Sequence, residues 1–375
     1  MITALTSDNS LSFGSYEQIA LDNMQSRAAQ AIQKKQTALN ETFQAKSNSI
    51  DKASDRLIKT SSGIKTAEIA VDNSRESLDT ITEKLSAMRA ALGELERSDY
   101  KSDYWRNQYD ENLRSLNVAA DLYSPAYNLV GKVRDRATWA PNEISYNSGI
   151  GSSQATLRGA YVGSDFRIEM ADGTVWVPDL GSQSISEYTS YNTEKPSDSD
   201  ATGRTTSLTT GITSVTDNGD GTMTFAMILD GGVSTNVTGK LVTGGLGVTG
   251  SWNHNSTGAT PLSTAEDVAG ALAELDKADA VLTGAKALMA GNANTVKGHE
   301  ANLNQQMKDL TTQKKTAMQD NLTAQLKLQQ EFANQVEVMQ RNLESMSQQQ
   351  QSYLTVFAST ISGMDNNPLF VDQMA

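Results

Sequence analysis

From Ala29 to Leu95 the chain returns to the same stripe at alternating steps of three and four residues: Ala29, Ile32, Gln36, Leu39, Phe43, Lys46, Ile50, Ala53, Leu57, Thr60, Ile64, Ala67, Val71, Ser74, Leu78, Ile81, Leu85, Met88, Leu92 and Leu95. Most of these positions are apolar, and a period of seven residues sustained over so many turns requires a helix packed along its length against another helix. Unbroken, such a helix would extend roughly 100 Å at 1.5 Å per residue. Gly63 should weaken it by about 1 kcal/mol, and polar Lys46 and Thr60 read as a kink or as control of register.

Proline and glycine divide the chain. Proline is absent from Met1 to Ser124 and from Leu262 to Asn367, and 18 of the 27 glycines lie between Ala137 and Leu262. Because both residues interrupt helices, the chain reads as helical, then turn-rich, then helical. After Gly93 a turn is expected, followed by a shorter helix from Tyr104 to Leu122 that Ser124-Pro125 stops. Towards the other end, Val268, Leu272, Leu275, Leu282 and Leu288 sketch a helix interrupted near Gly291. A second seam follows: Phe332, Val336, Met339, Leu343, Met346, Gln350, Tyr353 and Phe357. In the middle, FRIEM–Ala171-Asp172-Gly173–TVWV and SVTD–Asn218-Gly219–DGTMTFAMIL read as β-hairpins.

The expected fold is therefore mainly α: a long coiled-coil-like helical bundle formed by the N- and C-terminal segments, with an inserted all-β domain. Its expected divisions are an N-terminal helical core over 1–135, a β-rich outer domain over 136–262, a C-terminal helical core over 263–362 and a tail over 363–375. The residues expected to form the core and assembly seam are Ile64, Val71, Leu78, Ile81, Leu85, Met88, Leu92 and Leu95 on the first helix, and Phe332, Val336, Met339, Leu343, Met346, Tyr353 and Phe357 on the last.

Composition narrows the function. The net charge of -13 offers no broad basic surface for nucleic acid or anionic lipid. Between 137 and 262 five basic residues face twelve acidic ones, so over half of the excess sits on the β module. With no cysteine there is no disulfide, thiolate chemistry or Cys-ligated metal. No apolar run is long enough to span a membrane, and the first residues lack the basic start and apolar block of a secretory signal. Asp217 to Gly221, DNGDG, supplies hard oxygens but fails the alternating spacing of a calcium loop, and reads as a turn. His254 and His299, the only histidines, lack neighbouring ligands and read as exposed. Asp165, Glu169 and Asp172 read as a solvated face rather than a catalytic carboxylate pair. No catalytic residue, metal or cofactor is expected, and the chain is read as a structural protein, not an enzyme.

The segment SSGIKTAEIAVDNSRESLDTITEKLSAMRAAL, Ser61 to Leu92, resembles the long helix in the N-terminal core of bacterial flagellins, with Gly63, Ile64, Ala67, Leu78, Leu85 and Arg89 in corresponding places. YWRNQYDENLRSLNVAADLYSPAYNLVG is similar to the helix and turn that follow there. Tyr127-Asn128-Leu129-Val130 stands where flagellins carry Phe-Asn-Gly-x-x-Leu. Ala271 to Met307 resembles the returning C-terminal core helix. The usual Ser-Gly-Leu-Arg-Ile-Asn run is replaced by KKQTALNETFQAKSNSIDKASDR, and the last helix is nearly as similar to that of a filament-capping protein.

The resemblance to the flagellin and hook-associated protein family implies a structural subunit of a self-assembling extracellular filament, exported unfolded by a flagellar type III apparatus and located in the bacterial flagellum. The partners it implies are copies of the chain in a helical homopolymer, with an export chaperone and neighbouring junction or cap proteins, and neither nucleic acid nor membrane insertion. The alternatives are a flagellar junction or cap protein, a type III secretion tip component, or a stalked adhesin; Trp176 and Trp252 are of the type that stacks on sugars, but they read first as packing residues.

Overall fold

The computed structural model describes residues 5–132, 139–149, 153–190, 200–258 and 260–365, with side chains from 18 to 360. Among the described residues three α-helices form: α1 (Leu5–Arg97), α2 (Asp103–Ala120) and α3 (Ala265–Asp365). Between α2 and α3 lie β1 (Glu143–Asn147), β2 (Gln154–Arg158), β3 (Phe166–Met170), β4 (Val175–Asp179), β5 (Ser184–Tyr188), β6 (Ala201–Ser207), β7 (Ile212–Asp217), β8 (Met223–Ile228) and β9 (Ser234–Thr243).

This corrects the expected fold class. In place of a mainly α, coiled-coil-like bundle there are three helices, one long at each end, and a separate seven-stranded antiparallel sheet, in a helix–strand–helix order. The expectation counted breaks that do not occur. α3 passes through Gly291, where an added Cβ would meet nothing within 4 Å, so that glycine neither ends the helix nor admits a close neighbour. α1 likewise passes Gly93 and ends only at Arg97, where Asp99 and Tyr100 take left-handed φ values of 54° and 58°. The expected boundary at 135/136 and most of the tail over 363–375 lie outside the described residues.

Contacts divide the chain into two compact units, one of residues 1–55 and 307–375, the other of residues 56–306. In the larger unit the α1 stripe keeps its seven-residue period: Leu57, Thr60, Ile64, Ala67, Val71, Ser74, Leu78, Ile81, Leu85, Met88, Leu92 and Leu95 are all buried. α3 answers with Val268, Ala271, Leu275, Ala278, Leu282, Ala285, Met289, Asn292 and Val296. Each large aliphatic side chain removed from water here contributes about 2 kcal/mol before entropy costs. Arg89 reaches Asp276 at 2.8 Å and Asp279 at 2.6 Å, and Lys286 lies 3.7 Å from Asp79, so the two helices run antiparallel in one register. The pairs themselves are largely wet and add little energy.

The ribbon β1–β2 lies on the same helices. Gly63 faces β1: an added Cβ there would stand 3.4 Å from the backbone N and O of Asn147, an ordinary van der Waals contact. Thr60 Oγ1 donates to the Gly149 carbonyl (3.3 Å), and the Tyr146 hydroxyl meets His299 Nδ1 at 2.7 Å. Thr60 is thus a buried anchor. Ser74, fully buried, donates to Ala70 O (2.6 Å) and accepts the Leu129 amide (2.8 Å), which ties the segment after α2 to α1. Ser74→Ala would strand that amide, and is expected to cost about 1–3 kcal/mol in urea unfolding followed by circular dichroism.

The main sheet has the order β6-β5-β4-β3-β9-β8-β7, all neighbours antiparallel. It curls until its margins meet: the Asp230 amide donates to Thr205 O (2.8 Å), and Thr206 Oγ1 donates to Ile228 O (2.6 Å). Its concave side holds Phe166, Ile168, Trp176, Ile185, Phe225 and Trp252. The DNGDG run is the β7–β8 turn, in which Asp217 accepts the Gly219 amide (2.8 Å) and Asp220 the Thr222 amide (2.9 Å).

In the smaller unit the stripe changes period. From Leu21 to Ile50 its half-buried or buried positions on α1 are Leu21, Gln25, Ala28, Ile32, Gln36, Leu39, Phe43, Ser47 and Ile50, stepping four, three, four in every eleven residues. Ala29 and Lys46, expected in the seam, are exposed and replaced by Ala28 and Ser47. On α3 the matching positions are Ala317, Asn321, Ala324, Leu328, Phe332, Val336, Met339 and Leu343. An eleven-residue repeat advances 3.67 residues per turn, so this pair lacks the drive to left-handed supercoiling that a strict heptad imposes. Asn40 meets Gln325 (2.9 Å), Asp51 meets Lys314 (2.6 Å) and Lys35 meets Glu331 (3.9 Å), again antiparallel.

Candidate assembly surface

The seam residues singled out from sequence separate into two groups. Ile64, Val71, Leu78, Ile81, Leu85, Met88, Leu92 and Leu95 are buried within the larger unit by the chain's own α3 and β segments, and present nothing to a second molecule. Phe332, Val336, Met339 and Leu343, in the smaller unit, are half-buried. Met346, Tyr353 and Phe357 are exposed, Tyr353 to 75% and Phe357 to 68%, and beside them Leu354 and Val356 are exposed too. A helix end carrying this many wet aromatic and aliphatic side chains forms a patch of the kind that marks an interaction site.

Sequence reasoning missed a second set. Met318, Leu322 and Leu326 stand four residues apart on α3 and are exposed to 67%, 58% and 53%. Their spacing was legible, but only the packed pair reveals that they point away from α1. On the other flank of the smaller unit runs a groove of about 560 Å³, lined chiefly by Ala38, Leu39, Phe43, Ala317, Ala324 and Leu328.

The larger unit carries a buried polar clasp, assembled from residues more than a hundred positions apart. Asp110 on α2 accepts the Ser251 amide (2.7 Å) and hydroxyl (2.6 Å), and the Tyr109 hydroxyl donates to Thr249 O (3.2 Å). Glu274 on α3 accepts the Thr249 amide (2.8 Å) and hydroxyl (2.9 Å) and lies 3.4 Å from His254 Nε2. His254, expected to be exposed, is buried, with its ring against Gly270, where a Cβ would stand 3.3 Å from Nδ1. Burial pushes the Asp110 carboxyl above its ordinary range, against the opposing pull of the Ser251 hydrogen bonds and His254. Burial acts in the same direction on Glu274, but the hydrogen bond and charge of His254 and the Thr249 donors outweigh it and hold that carboxyl below its ordinary range. The cavity next to Asp110, about 40 Å³, has room for water. The clasp joins α2, the segment leaving β9 and the first turns of α3; its chemistry is that of a fastening.

Trp176 and Trp252 are 0% and 4% exposed and pack in the sheet's core, as packing residues do, and neither presents a ring face to a sugar. Among the described residues no group of three or more His, Asp or Glu side chains converges as a metal site, and no helix is long and apolar enough to cross a membrane. No protein-family model matches the chain, and no curated protein matches it.

Proposed function

We propose that the chain is a structural subunit of a self-assembling extracellular filament, similar to flagellin, exported through a type III apparatus and polymerising with copies of itself. The support from its residues is the resemblance of Ser61 to Leu92 and Ala271 to Met307 to the flagellin core helices. The observation that carries the reading is the state of the last turns of α3, where Met346, Tyr353, Leu354, Val356 and Phe357 remain in water although the stripe they continue is covered elsewhere. Burying such a patch against neighbouring copies gains about 25 cal/mol per Å², and repeated contacts that do not close on themselves make a filament. An export chaperone would hold the same helix before assembly, and junction or cap proteins would meet it at the filament's ends.

Negative-stain electron microscopy of the concentrated protein tests this. The unaltered chain is expected to form filaments. Phe357→Asp and Leu343→Asp are expected to abolish them while the sheet stays folded, as read by the fluorescence of Trp176 and Trp252. Filaments of normal length and number from both variants would overturn the reading, as would an unaltered chain that stays monomeric at millimolar concentration.

A further inference from the structure

We propose that the exposed ridge of Met318, Leu322 and Leu326 in one copy seats in the groove between Ala38–Phe43 and Ala317–Leu328 of the next copy, a lateral contact that repeats without closing. It rests on the reading of the chain as a self-assembling subunit and names a contact distinct from the helix end at 346–357.

The ridge and the groove belong to one helix pair yet face different ways. Met318 and Leu322 are each two residues from Asp320, and two residues on an α-helix are about 200° apart. Asp320 and Ala324 line the groove, so Met318 and Leu322 turn to the opposite side of α3. The ion pairs and amide pairs sort in the same way: Asn40–Gln325 and Asp51–Lys314 lie on the ridge flank, and Lys35, paired with Glu331, lines the groove. A surface with a ridge on one side and a recess on the other can use both at once, one with each neighbour. That is the heterologous, head-to-tail arrangement that propagates, whereas an isologous contact stops at two copies.

Shape and chemistry match. The recess exists because Ala38, Thr42, Ala317 and Ala324 are short, which leaves about 560 Å³ between the two helices. Unbranched Met and γ-branched Leu side chains at steps of four form the kind of row that packs between the side chains of a facing helix. The groove's walls span eleven residue steps on each helix, Lys35 to Lys46 and Ala317 to Leu328, about 16 Å, and the ridge spans eight, about 12 Å, so the ridge fits within the groove's length. Asp320 in the groove and Lys315, one turn before Met318, have no ion pair within the chain among the described residues, and as opposite charges they complement each other across such a contact.

Size explains why the occupant is another copy within a polymer. Three side chains in one recess bury far less than the roughly 1,200 Å² that a stable pair of proteins needs. The contact holds only where a second contact fixes the same two molecules, which a filament of identical copies provides and a lone partner does not.

The absence of cysteine from the chain makes the test clean. Single variants Ala38→Cys and Leu322→Cys are mixed under filament-forming conditions and oxidised with copper phenanthroline. The expected product is a disulfide between Cys at 38 in one chain and Cys at 322 in another, absent when either variant is oxidised alone. The doubly substituted chain is expected to give a ladder of covalent multimers. Filaments that form without the 38–322 bond, or that yield mainly 322–322 dimers, overturn the ridge-and-groove contact and leave the filament reading standing. No filaments and no crosslink overturn both.

Discussion

Gly159→Ala is expected to destabilise the larger unit by about 3 kcal/mol or more, enough to unfold the β1–β2 ribbon. A Cβ at 159 would overlap the carbonyl oxygens of Leu129 and Asn142, which are backbone atoms with no rotamer to escape into. Both carbonyls sit where three segments cross: the Ala160 amide donates to Leu129 O (2.8 Å), and the Asn142 amide donates to Gly131 O (3.2 Å). One methyl group must therefore push the segment after α2 away from the exit of β2, and overpacking against backbone is among the costliest single changes. Gly173→Ala is the comparison. Gly173 sits in the β3–β4 turn with φ +89° and nothing within 4 Å, so alanine there costs only the left-handed conformation, about 1–2 kcal/mol. Urea unfolding of the two variants, followed by circular dichroism, should separate them by at least about a factor of five in the folding equilibrium constant. Equal losses would mean that the crossing at Gly159 relaxes freely.

Glu274→Ala is expected to cost about 3 kcal/mol at neutral pH, because it leaves the buried Thr249 amide and hydroxyl without their acceptor. The clasp also fixes two pH dependences of opposite sign. Glu274 has a folded-state pKa below its unfolded value, so its contribution is full above about 4.5, the ordinary glutamate value, and is lost as pH falls through the depressed one. The stability difference between the unaltered chain and Glu274→Gln should therefore shrink in acid. Asp110 has a raised folded-state pKa. Its ionised form is disfavoured in the fold, so its contribution improves as pH falls through that raised value towards 3.8. The difference between the unaltered chain and Asp110→Asn should move in favour of the unaltered chain over that range. Unfolding free energies measured at several pH values between 3 and 7 check both slopes. Parallel slopes would show that the two carboxyls do not sit in the environments described.

The covered seam of the larger unit could be read almost residue by residue from the chain, since a strict seven-residue period leaves little choice of face once the partner is a helix. Ile64 through Leu95 lie where that period puts them. The hairpins at Gly173 and Asn218-Gly219 were equally legible, because a turn chemistry with two alternating arms is a local signal. The reading slipped before Ile50. There the apolar residues are sparse enough to fit either a heptad or an eleven-residue repeat, and only the paired helices decide for Ala28 and Ser47 over Ala29 and Lys46. The helix ends slipped for a related reason: glycines at 93 and 291 were counted as breaks, whereas in an uncrowded helix each costs about 1 kcal/mol and the covered stripe around it outweighs that.

What the amino-acid sequence determined on its own is everything set by local period and composition: long helices at both ends, a turn-rich β segment between them, and an apolar stripe that needs cover. What only the tertiary structure decided is which side chains remain uncovered and which distant polar groups meet. Met318, Leu322 and Leu326 are a ridge because α1 packs on the other side of α3. Asp110, Ser251, His254 and Glu274 are a clasp because a curled sheet brings its last strand back to two helices. Periodicity is a property of neighbours along the chain, whereas exposure and hydrogen-bond partnership depend on atoms hundreds of residues away, and those are fixed only when the whole molecule is packed.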